Sequence, residues 1–275
     1  MGKYTQFISL LLILMVFMSA CDEQRRVIEP FVPTGNRVVL LEEFTGKGCT
    51  NCPKGSREID NLLLQFPNNL VAVSIHAGFF ANPQFFPLGL FDFRTDEGEY
   101  LFNYLGPNLG YPAGVINRIP VAGEMQLSLN QWASAITIEI QKTLTADLSI
   151  AAHFDQATRE VVVEVEGIGR ELVNGDIRLS VMLTESGIVD AQDDFEAGGI
   201  VDNYVHNHVL RDMLTPAAGE TLSQGLMPGQ PFHRMYRYTL PAEWNADRME
   251  VIAFLSQVNG SEFPVLQAAS AHVNE

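Results

Sequence analysis

The segment from Val38 to Ile75 constrains the fold of this chain more than any other feature of its sequence. It begins with the apolar run VVLLEEF (38–44), continues through Cys49 to Pro53 (CTNCP), and ends with the apolar run LVAVSI (70–75). Between the cysteines and Pro67, apolar residues recur at helical spacing. Apolar runs of this length are typical of buried strands, whereas the recurring spacing is typical of a helix. The sequence therefore predicts a strand, a Cys-x-x-Cys turn, a helix and a second strand.

A Cys-x-x-Cys turn at the start of a helix has a specific redox chemistry. Its first sulfur lies over unpaired backbone N–H groups at the positive end of the helix dipole, which stabilises the thiolate and lowers the thiol pKa. Its second sulfur is buried one turn later and can attack a mixed disulfide to release the substrate thiol. We therefore predict Cys49 as the attacking thiolate and Cys52 as the resolving thiol.

Three other interpretations of this cysteine pair stay open at the level of sequence. A zinc site needs further ligands; the chain has three cysteines in all, and His76 at the end of the second strand is a candidate. A structural disulfide is a second interpretation, although its short loop limits the stability that it adds. The third is a cysteine pair that is kept without turnover.

The N-terminal 36 residues contain a targeting signal and a spacer. Residues 1–20 have the pattern of a signal peptide, because their apolar run of about twelve residues is shorter than a membrane-spanning helix. The tetrapeptide MSAC that ends at Cys21 resembles a bacterial lipobox, which implies acylation of Cys21 and a lipid anchor. An ordinary cleaved signal is the alternative. Residues 21–36 are predicted to be a tether between the lipid and the folded protein.

The stretch from Leu41 to Cys52 is similar to the segment that leads from a strand into the active site of thioredoxin-like proteins. The resemblance implies that Glu43 is a buried acid that relays a proton to Cys52, and a solvent-exposed carboxylate at the strand end is the alternative. It also implies a cis-proline that faces the cysteines, for which Pro112 is the best match and Pro107 the second.

On this resemblance, residues 37–144 are predicted to form an α/β thioredoxin-like domain. The chain departs from the family at Gly48, where a Trp is usual, and at residues 50–51 (TN), where Gly-Pro is usual. Residues 77–110 form an insertion rich in Phe and Tyr. Its rings either line a peptide groove beside the cysteines or form the core of a helical subdomain.

The sequence pattern changes after residue 144 to an alternation of apolar and polar residues with a period of two. Short strands with turn signals between them, such as Asn259-Gly260, are typical of a β-sandwich. Residues 145–275 are therefore predicted to form an all-β immunoglobulin-like sandwich. Its predicted strands are Leu148–Phe154, Val161–Val165, Ile177–Leu183, Arg234–Leu240, Met249–Val258 and Pro264–Val273.

Two features of the predicted sandwich suggest metal ions. Acidic residues cluster between 190 and 202, and carboxylate oxygens are calcium ligands. The spacing of these residues matches no calcium loop, however. The other interpretation is a solvated acidic loop. His206 and His208 alternate, so on a strand they would share a face and could hold zinc or copper. Structural histidines are the alternative, and we predict neither a metal nor a cofactor for the chain.

Three features together resemble the Omp28-related outer-membrane lipoproteins: the lipobox, the segment EEFTGKGCTNCP (42–53) and the segment YVHNHVLR (204–211). The resemblance spans nearly the whole mature chain. It implies a Gram-negative cell-envelope lipoprotein of the outer membrane, with a thioredoxin-like domain and a β-sandwich, that faces either the periplasm or the cell surface.

Two hypotheses of function follow. The first is a membrane-tethered thiol–disulfide oxidoreductase that acts on thiols or disulfides of exported proteins. Its predicted catalytic residues are Cys49, Cys52, Pro112 and Glu43. The second is a surface adhesion or ligand-binding lipoprotein in which the thioredoxin-like domain is a non-catalytic scaffold. Either way the predicted membrane contact is the lipid on Cys21, and the net charge of −16 excludes a sequence-independent grip on nucleic acid, which needs a basic surface.

Overall fold

Strands dominate the computed structural model of the protein, which describes residues 37–108, 110–260 and 262–274. The described residues form thirteen β-strands, three α-helices and three short 3-10 helices. Strands make up 47% of the structure and helices of both kinds 17%. They fall within one compact unit. The predictions about residues 1–36, including the lipid anchor at Cys21, lie outside the described residues.

The strand, turn, helix and strand predicted from the cysteine segment are present. Strands β1 (Val39–Thr45) and β2 (Leu70–His76) run parallel, and helix α1 (Cys52–Gln65) connects them. Every residue of both strands is buried, which explains why their sequences are apolar runs with little alternation. The next elements are α2 (Asp96–Tyr104), β3 (Ala113–Ile116), which pairs antiparallel with β1, and α3 (Trp132–Ile140).

Ten further strands follow α3. Six of them coincide with the strands predicted from the period of two: β4 (Ala146–Asp155), β5 (Glu160–Gly169), β6 (Val173–Glu185), β11 (Pro231–Thr239), β12 (Met249–Val258) and β13 (Val265–His272). The sequence pattern does not predict the other four, which are β7 (Ile188–Asp194), β8 (Gly199–His206), β9 (Val209–Met213) and β10 (Glu220–Leu226). These four contain Asp, Asn or Gly, residues that are depleted in strands.

A single mixed sheet joins the N-terminal and C-terminal halves of the described chain. Its strand order is β13-β12-β6-β9-β2-β1-β3, and β10 also pairs with β6. The junction is β9, which pairs antiparallel with β6 and, through Val209 opposite Ser74, parallel with β2. A three-stranded sheet, β11-β5-β4, and the two-stranded hairpin β7–β8 contain the other strands.

The predicted fold class, an α/β thioredoxin-like domain followed by an all-β immunoglobulin-like sandwich, is wrong. Strands β1, β2 and β3 form one edge of an eight-stranded, mostly antiparallel sheet that continues through the C-terminal half. The physical reason is that β2 is buried, so the backbone groups on its outer edge need partners. The Ser74 N–H donates to the His208 carbonyl oxygen at 2.7 Å, next to β9. A five-residue strand such as β9 is too short to show in the sequence pattern.

Two apolar clusters lie on opposite faces of β6, which explains how the sheet positions the cysteine segment. On one face, Val181 packs with Val163 of the three-stranded sheet. On the other face, Met182 packs in a cluster with Phe44 of β1 and Ile75 of β2. Because the second cluster contains both parallel strands, the turn that follows β1 is held by the core of the whole molecule.

Candidate functional site

Cys49 and Cys52 form a disulfide at the start of α1. The two sulfurs are 2.09 Å apart and the two Cα atoms 5.3 Å apart. The Cys52 N–H donates to the Cys49 carbonyl oxygen at 3.1 Å, and Pro53 follows in the first helical turn, where its missing N–H costs no hydrogen bond. The exposed fraction is 3% for Cys49 and 1% for Cys52, so both residues are buried.

Glu43 is buried beneath this helix. It is fully shielded from solvent, which excludes the alternative of a solvent-exposed carboxylate. The Ser74 hydroxyl donates to Glu43 Oε2 at 2.9 Å, and Oε1 has no hydrogen-bond partner among the described residues. Burial raises the pKa of the Glu43 carboxyl to about 8, the Ser74 hydrogen bond opposes the rise, and the charge of Asp60 adds to it. The carboxyl is therefore mostly protonated at neutral pH.

Gly55 brings Glu43 and Pro112 against the same helix. A Cβ atom at Gly55 would lie 2.3 Å from Glu43 Oε1 and 2.8 Å from Pro112 Cβ, so only glycine fits there. The Tyr111–Pro112 peptide bond is cis, as is the bond before Pro107. Sequence reasoning missed Gly55, although a glycine inside a helical pattern is a signal of close packing.

Part of the aromatic insertion covers the cysteine turn at Gly48. A Cβ atom there would lie 2.1 Å from the ring of Phe86, and the Gly48 N–H donates to the Phe80 carbonyl oxygen at 2.9 Å. Phe79 and Phe85 remain 54% and 58% exposed beside these rings. The insertion therefore packs against the turn, and the rings of Phe79 and Phe85 face solvent beside it.

The hairpin β7–β8 covers the same turn and was not predicted from the sequence. The Gln192 side-chain amide donates to the Cys49 carbonyl oxygen at 3.1 Å. The Phe195 N–H donates to the Thr50 carbonyl oxygen at 2.9 Å. These hydrogen bonds to backbone carbonyl groups of the turn fix the hairpin to it. Together with the aromatic rings, the hairpin explains why Cys49 is buried.

A buried ion pair also holds the hairpin. Lys47 Nζ lies 2.8 Å from Asp190 Oδ2, and both side chains are buried. Asp190 accepts two further hydrogen bonds, from the N–H groups of Leu90 and Phe91. Burial raises the pKa of the Asp190 carboxyl, but the hydrogen bonds from Lys47 and the backbone outweigh it, and the pKa lies below its ordinary value. Lys47 thus joins the cysteine turn to both covering segments.

The interpretation of residues 190–202 as a solvated acidic loop is wrong. These residues form most of the hairpin, and Asp190 and Asp194 are buried. Arg57 of α1 reaches the tip of the hairpin, at 3.4 Å from Asp194 and 2.5 Å from Glu196. Three of the carboxylates that suggested calcium, those of Asp190, Asp194 and Glu196, are instead paired with basic residues near the cysteines.

The two alternating histidines do not share a strand face. His206 ends β8, whereas His208 lies beyond the strand with a φ of 56°. The His206 ring packs against His76 and Phe93, with ring centroids 5.7 Å and 4.9 Å away. Burial lowers the pKa of His206 to about 4 and that of His76 well below its ordinary value. Both imidazoles are therefore neutral at physiological pH.

One group of three metal-ligating side chains occurs in the described part of the chain. It consists of Glu164, Glu166 and His233, on the exposed side of the three-stranded sheet, and was not predicted. Among the described residues, the cysteine pair belongs to no such group. Within the same residues, no helix combines the length and the apolar composition that a membrane crossing needs.

One family model and several solved structures are similar to this chain. The model, described as outer membrane protein Omp28, matches residues 102–275 and leaves the cysteine segment outside the match. HBP35 of Porphyromonas gingivalis is 17% identical, with a TM-score of 0.67 over 88% of this chain and 77% of its own. Protein AGR_C_4864 from Agrobacterium tumefaciens is 18% identical, with a TM-score of 0.52 over 88% of this chain and 97% of its own. At these identities the likeness concerns the fold alone. No curated protein matches the chain.

Proposed function

The chain belongs to the Omp28 family of outer membrane proteins, and on this premise we propose that Cys49 and Cys52 exchange disulfides with exported proteins. The family confirms the predicted localisation, a lipoprotein of the outer membrane. The anchor at Cys21 and the side of the membrane stay predictions.

The observation that carries this proposal is the position of Glu43. Its unpartnered Oε1 lies against the first turns of the helix that Cys52 begins, on the same side as Pro112. A carboxyl whose pKa is about 8 can give up and take back a proton near neutral pH. Such a group serves disulfide chemistry, because the resolving sulfur changes between thiol and thiolate.

The oxidised pair can accept two electrons from a substrate dithiol. A substrate thiolate attacks Cys49 Sγ, the bond between the cysteines breaks, and its electron pair leaves on Cys52 Sγ. Glu43 gives its proton to that sulfur. The second substrate thiol, once deprotonated, then attacks the mixed disulfide and leaves Cys49 as a thiolate and the substrate as a disulfide. The reverse sequence reduces a substrate disulfide, with Glu43 taking the proton from Cys52.

Access to Cys49 requires the covering hairpin to move. Cys49 is buried when β7–β8 is bonded to the turn, which restricts the approach of an attacking thiolate. We propose that a substrate polypeptide displaces the hairpin, because the backbone groups of the turn that bond to Phe195 would then bond to the substrate.

Trapping the mixed disulfide tests the proposal. In the full-length chain held in detergent, Cys52→Ser leaves Cys49 without its resolving partner, so attack on oxidised insulin should stop at a covalent adduct. Cys49→Ser is the matched control and should form none. We also expect a thiol pKa for Cys49 below the ordinary value of about 8.5. A Cys49 pKa near that value together with no adduct contradicts the proposal.

The burial of both cysteines favours a second candidate, in which the disulfide is structural and the protein is a surface binding or adhesion lipoprotein. A disulfide that closes a four-residue loop adds only about 2 kcal/mol to the free energy of unfolding. For this candidate, the double variant Cys49→Ser/Cys52→Ser should lose about that much stability in urea and keep full attachment to cells or matrix. If the double variant remains folded but no longer attaches, the disulfide is not merely structural and this candidate is contradicted.

A further inference from the structure

Glu43 needs a route for protons to and from solvent, a requirement that rests on the function proposed above. Its carboxyl is fully shielded, and the cysteine turn on its near side is itself covered by the hairpin. A buried acid that serves repeated exchange must be recharged through another polar group. In the part of the chain that the structure describes, the hydroxyl bonded to it is that of Ser74, in the neighbouring strand β2.

Ser74 opens onto a small cavity between α1, β2 and β8. The cavity has a volume of about 40 Å³, which is enough to hold water. Ser74 lies at its buried end, and the exposed side chains of Asp60 and Arg57 lie at its outer end. The cavity therefore extends from the hydroxyl that bonds to Glu43 to the surface of α1. Its lining residues are Ser56, Arg57, Ile59, Asp60, Ser74, Tyr204, Val205, Asn207 and His208.

Hydroxyl groups line the cavity between these ends. Ser56 and Tyr204 both line the cavity, and Tyr204 is near enough to Ser56 and to Glu43 for both to affect the pKa of its hydroxyl. A hydroxyl both donates and accepts hydrogen bonds, so it can pass a proton on and replace it. Tyr204 belongs to the covering hairpin, which means that a residue 161 positions beyond Glu43 completes the cavity.

We propose that this cavity is the proton port of the cysteine site, with Ser74 as the link to Glu43 and Tyr204 as the residue that closes and orders it. As Cys52 Sγ takes the proton from Glu43 Oε1, the Ser74 hydroxyl gives its proton to Oε2 and takes one from water in the cavity. Proton and charge balance in this step, because one proton enters from solvent for each thiol formed.

The charged and titratable residues that line the port lie on α1, on β8 and just beyond β8. Asp60 and Arg57 face it from α1, and Tyr204 faces it from β8. His208, beyond the end of β8, completes the set. Burial lowers the pKa of His208, so its imidazole is neutral near pH 7 and adds no positive charge to the port.

The test measures proton exchange of Glu43 directly, without any thiol substrate. The full-length oxidised chain in detergent at pH 6, where Glu43 is protonated, is mixed rapidly with D2O. The shift of the carboxyl infrared band then reports replacement of the proton by deuterium, and Glu43→Gln identifies that band by removing it.

Two matched pairs of variants separate the port from general effects on packing. Val and Thr side chains have the same shape, but only Thr has a hydroxyl. We expect proton exchange of Glu43 to be at least about tenfold slower than in the wild type in Ser74→Val, and to be restored in Ser74→Thr. Tyr204→Phe should also slow exchange, whereas Tyr100→Phe on the exposed face of α2 should not.

Exchange at the wild-type rate in both Ser74→Val and Tyr204→Phe overturns the port. This outcome is distinct from failure of the proposed function, which is reported by the absence of an insulin adduct. An intact port without an adduct refutes thiol exchange alone, and an adduct with unchanged proton exchange refutes the port alone.

Discussion

Glu42 and Glu43 are neighbours in β1, and both side chains are fully shielded from solvent, yet they face opposite sides of the sheet. Glu42 accepts two hydrogen bonds from Arg118, at 2.9 Å and 2.6 Å, and the guanidinium lies over the Phe254 ring. Glu43 has no cationic partner among the described residues and accepts one hydrogen bond from the Ser74 hydroxyl.

The difference teaches that the partner of a buried carboxyl, more than its burial, decides what the carboxyl does. A bidentate guanidinium compensates a buried carboxylate with an opposite charge and two hydrogen bonds. A single hydroxyl compensates much less, so the neutral form is favoured and the pKa rises. The Glu42 side of β1 is therefore built as part of the core, and the Glu43 side places a mostly neutral carboxyl against the helix that Cys52 begins.

The largest expected effect comes from removing the ion pair between Glu42 and Arg118. Arg118→Ala leaves a buried carboxylate without its cation, which should lower the free energy of unfolding by about 3–5 kcal/mol. Urea unfolding measures the loss. Arg94→Ala is the matched control, because it removes an exposed pair with Asp92 and should cost at most about 1 kcal/mol. Equal losses in the two variants contradict the assignment of Arg118 as a core partner.

The second prediction concerns the dependence of stability on pH that Glu43 causes. The folded pKa of Glu43 is about 8 against an ordinary value of 4.5, so between these values the folded chain holds a proton that the unfolded chain releases. Its contribution to stability is complete below pH 4.5 and is lost as the pH rises towards 8. In this window the unfolding free energy of the wild type should fall by about 1.4 kcal/mol per pH unit relative to Glu43→Gln. Parallel pH curves for the two proteins rule out a raised pKa.

Filling the space at Gly55 is the third test. Gly55→Ala forces a methyl group against Glu43 Oε1 and Pro112, and overpacking of this kind costs about 1–3 kcal/mol. The cost should appear in urea unfolding despite the better helix propensity of Ala. Asn61→Ala, on the exposed face of α1, controls for propensity and should leave stability unchanged or slightly higher. A stabilised Gly55→Ala protein means that Glu43 and Pro112 do not press on this helix.

The smallest expected effect concerns the tip of the hairpin. Arg57 is partly exposed, so Arg57→Ala should lower stability by no more than about 1 kcal/mol. It should nevertheless speed reduction of the disulfide by dithiothreitol, because the hairpin separates more often from the cysteine turn. High salt should remove most of the difference, since it screens the exposed pair in the wild type. A difference that is independent of salt points to packing instead of charge.

Much of the Glu43 side was predictable, because its signals are local. The apolar runs on either side of Cys49 and Cys52 predict two buried strands, and the cysteine spacing predicts a helix start. Glu43 and Pro112 were matched by resemblance, and the structure places both against the cysteine helix. The covering hairpin could not be predicted, because Asp190 looks like a solvated residue until Lys47, 143 positions away in sequence, is seen beside it.

The sequence by itself determined the strands and the helix around the disulfide, six strands of the C-terminal half, and the family of the chain. Those properties rest on periodicity and short motifs, which act between near neighbours. Only the tertiary structure decided that one sheet unites the two halves and that a hairpin covers the cysteines. It also decided that Glu42 bonds to an arginine, whereas Glu43, among the described residues, bonds to a serine hydroxyl. The physical reason is that strand order, burial and ion pairing depend on which distant segment supplies a backbone edge or an opposite charge.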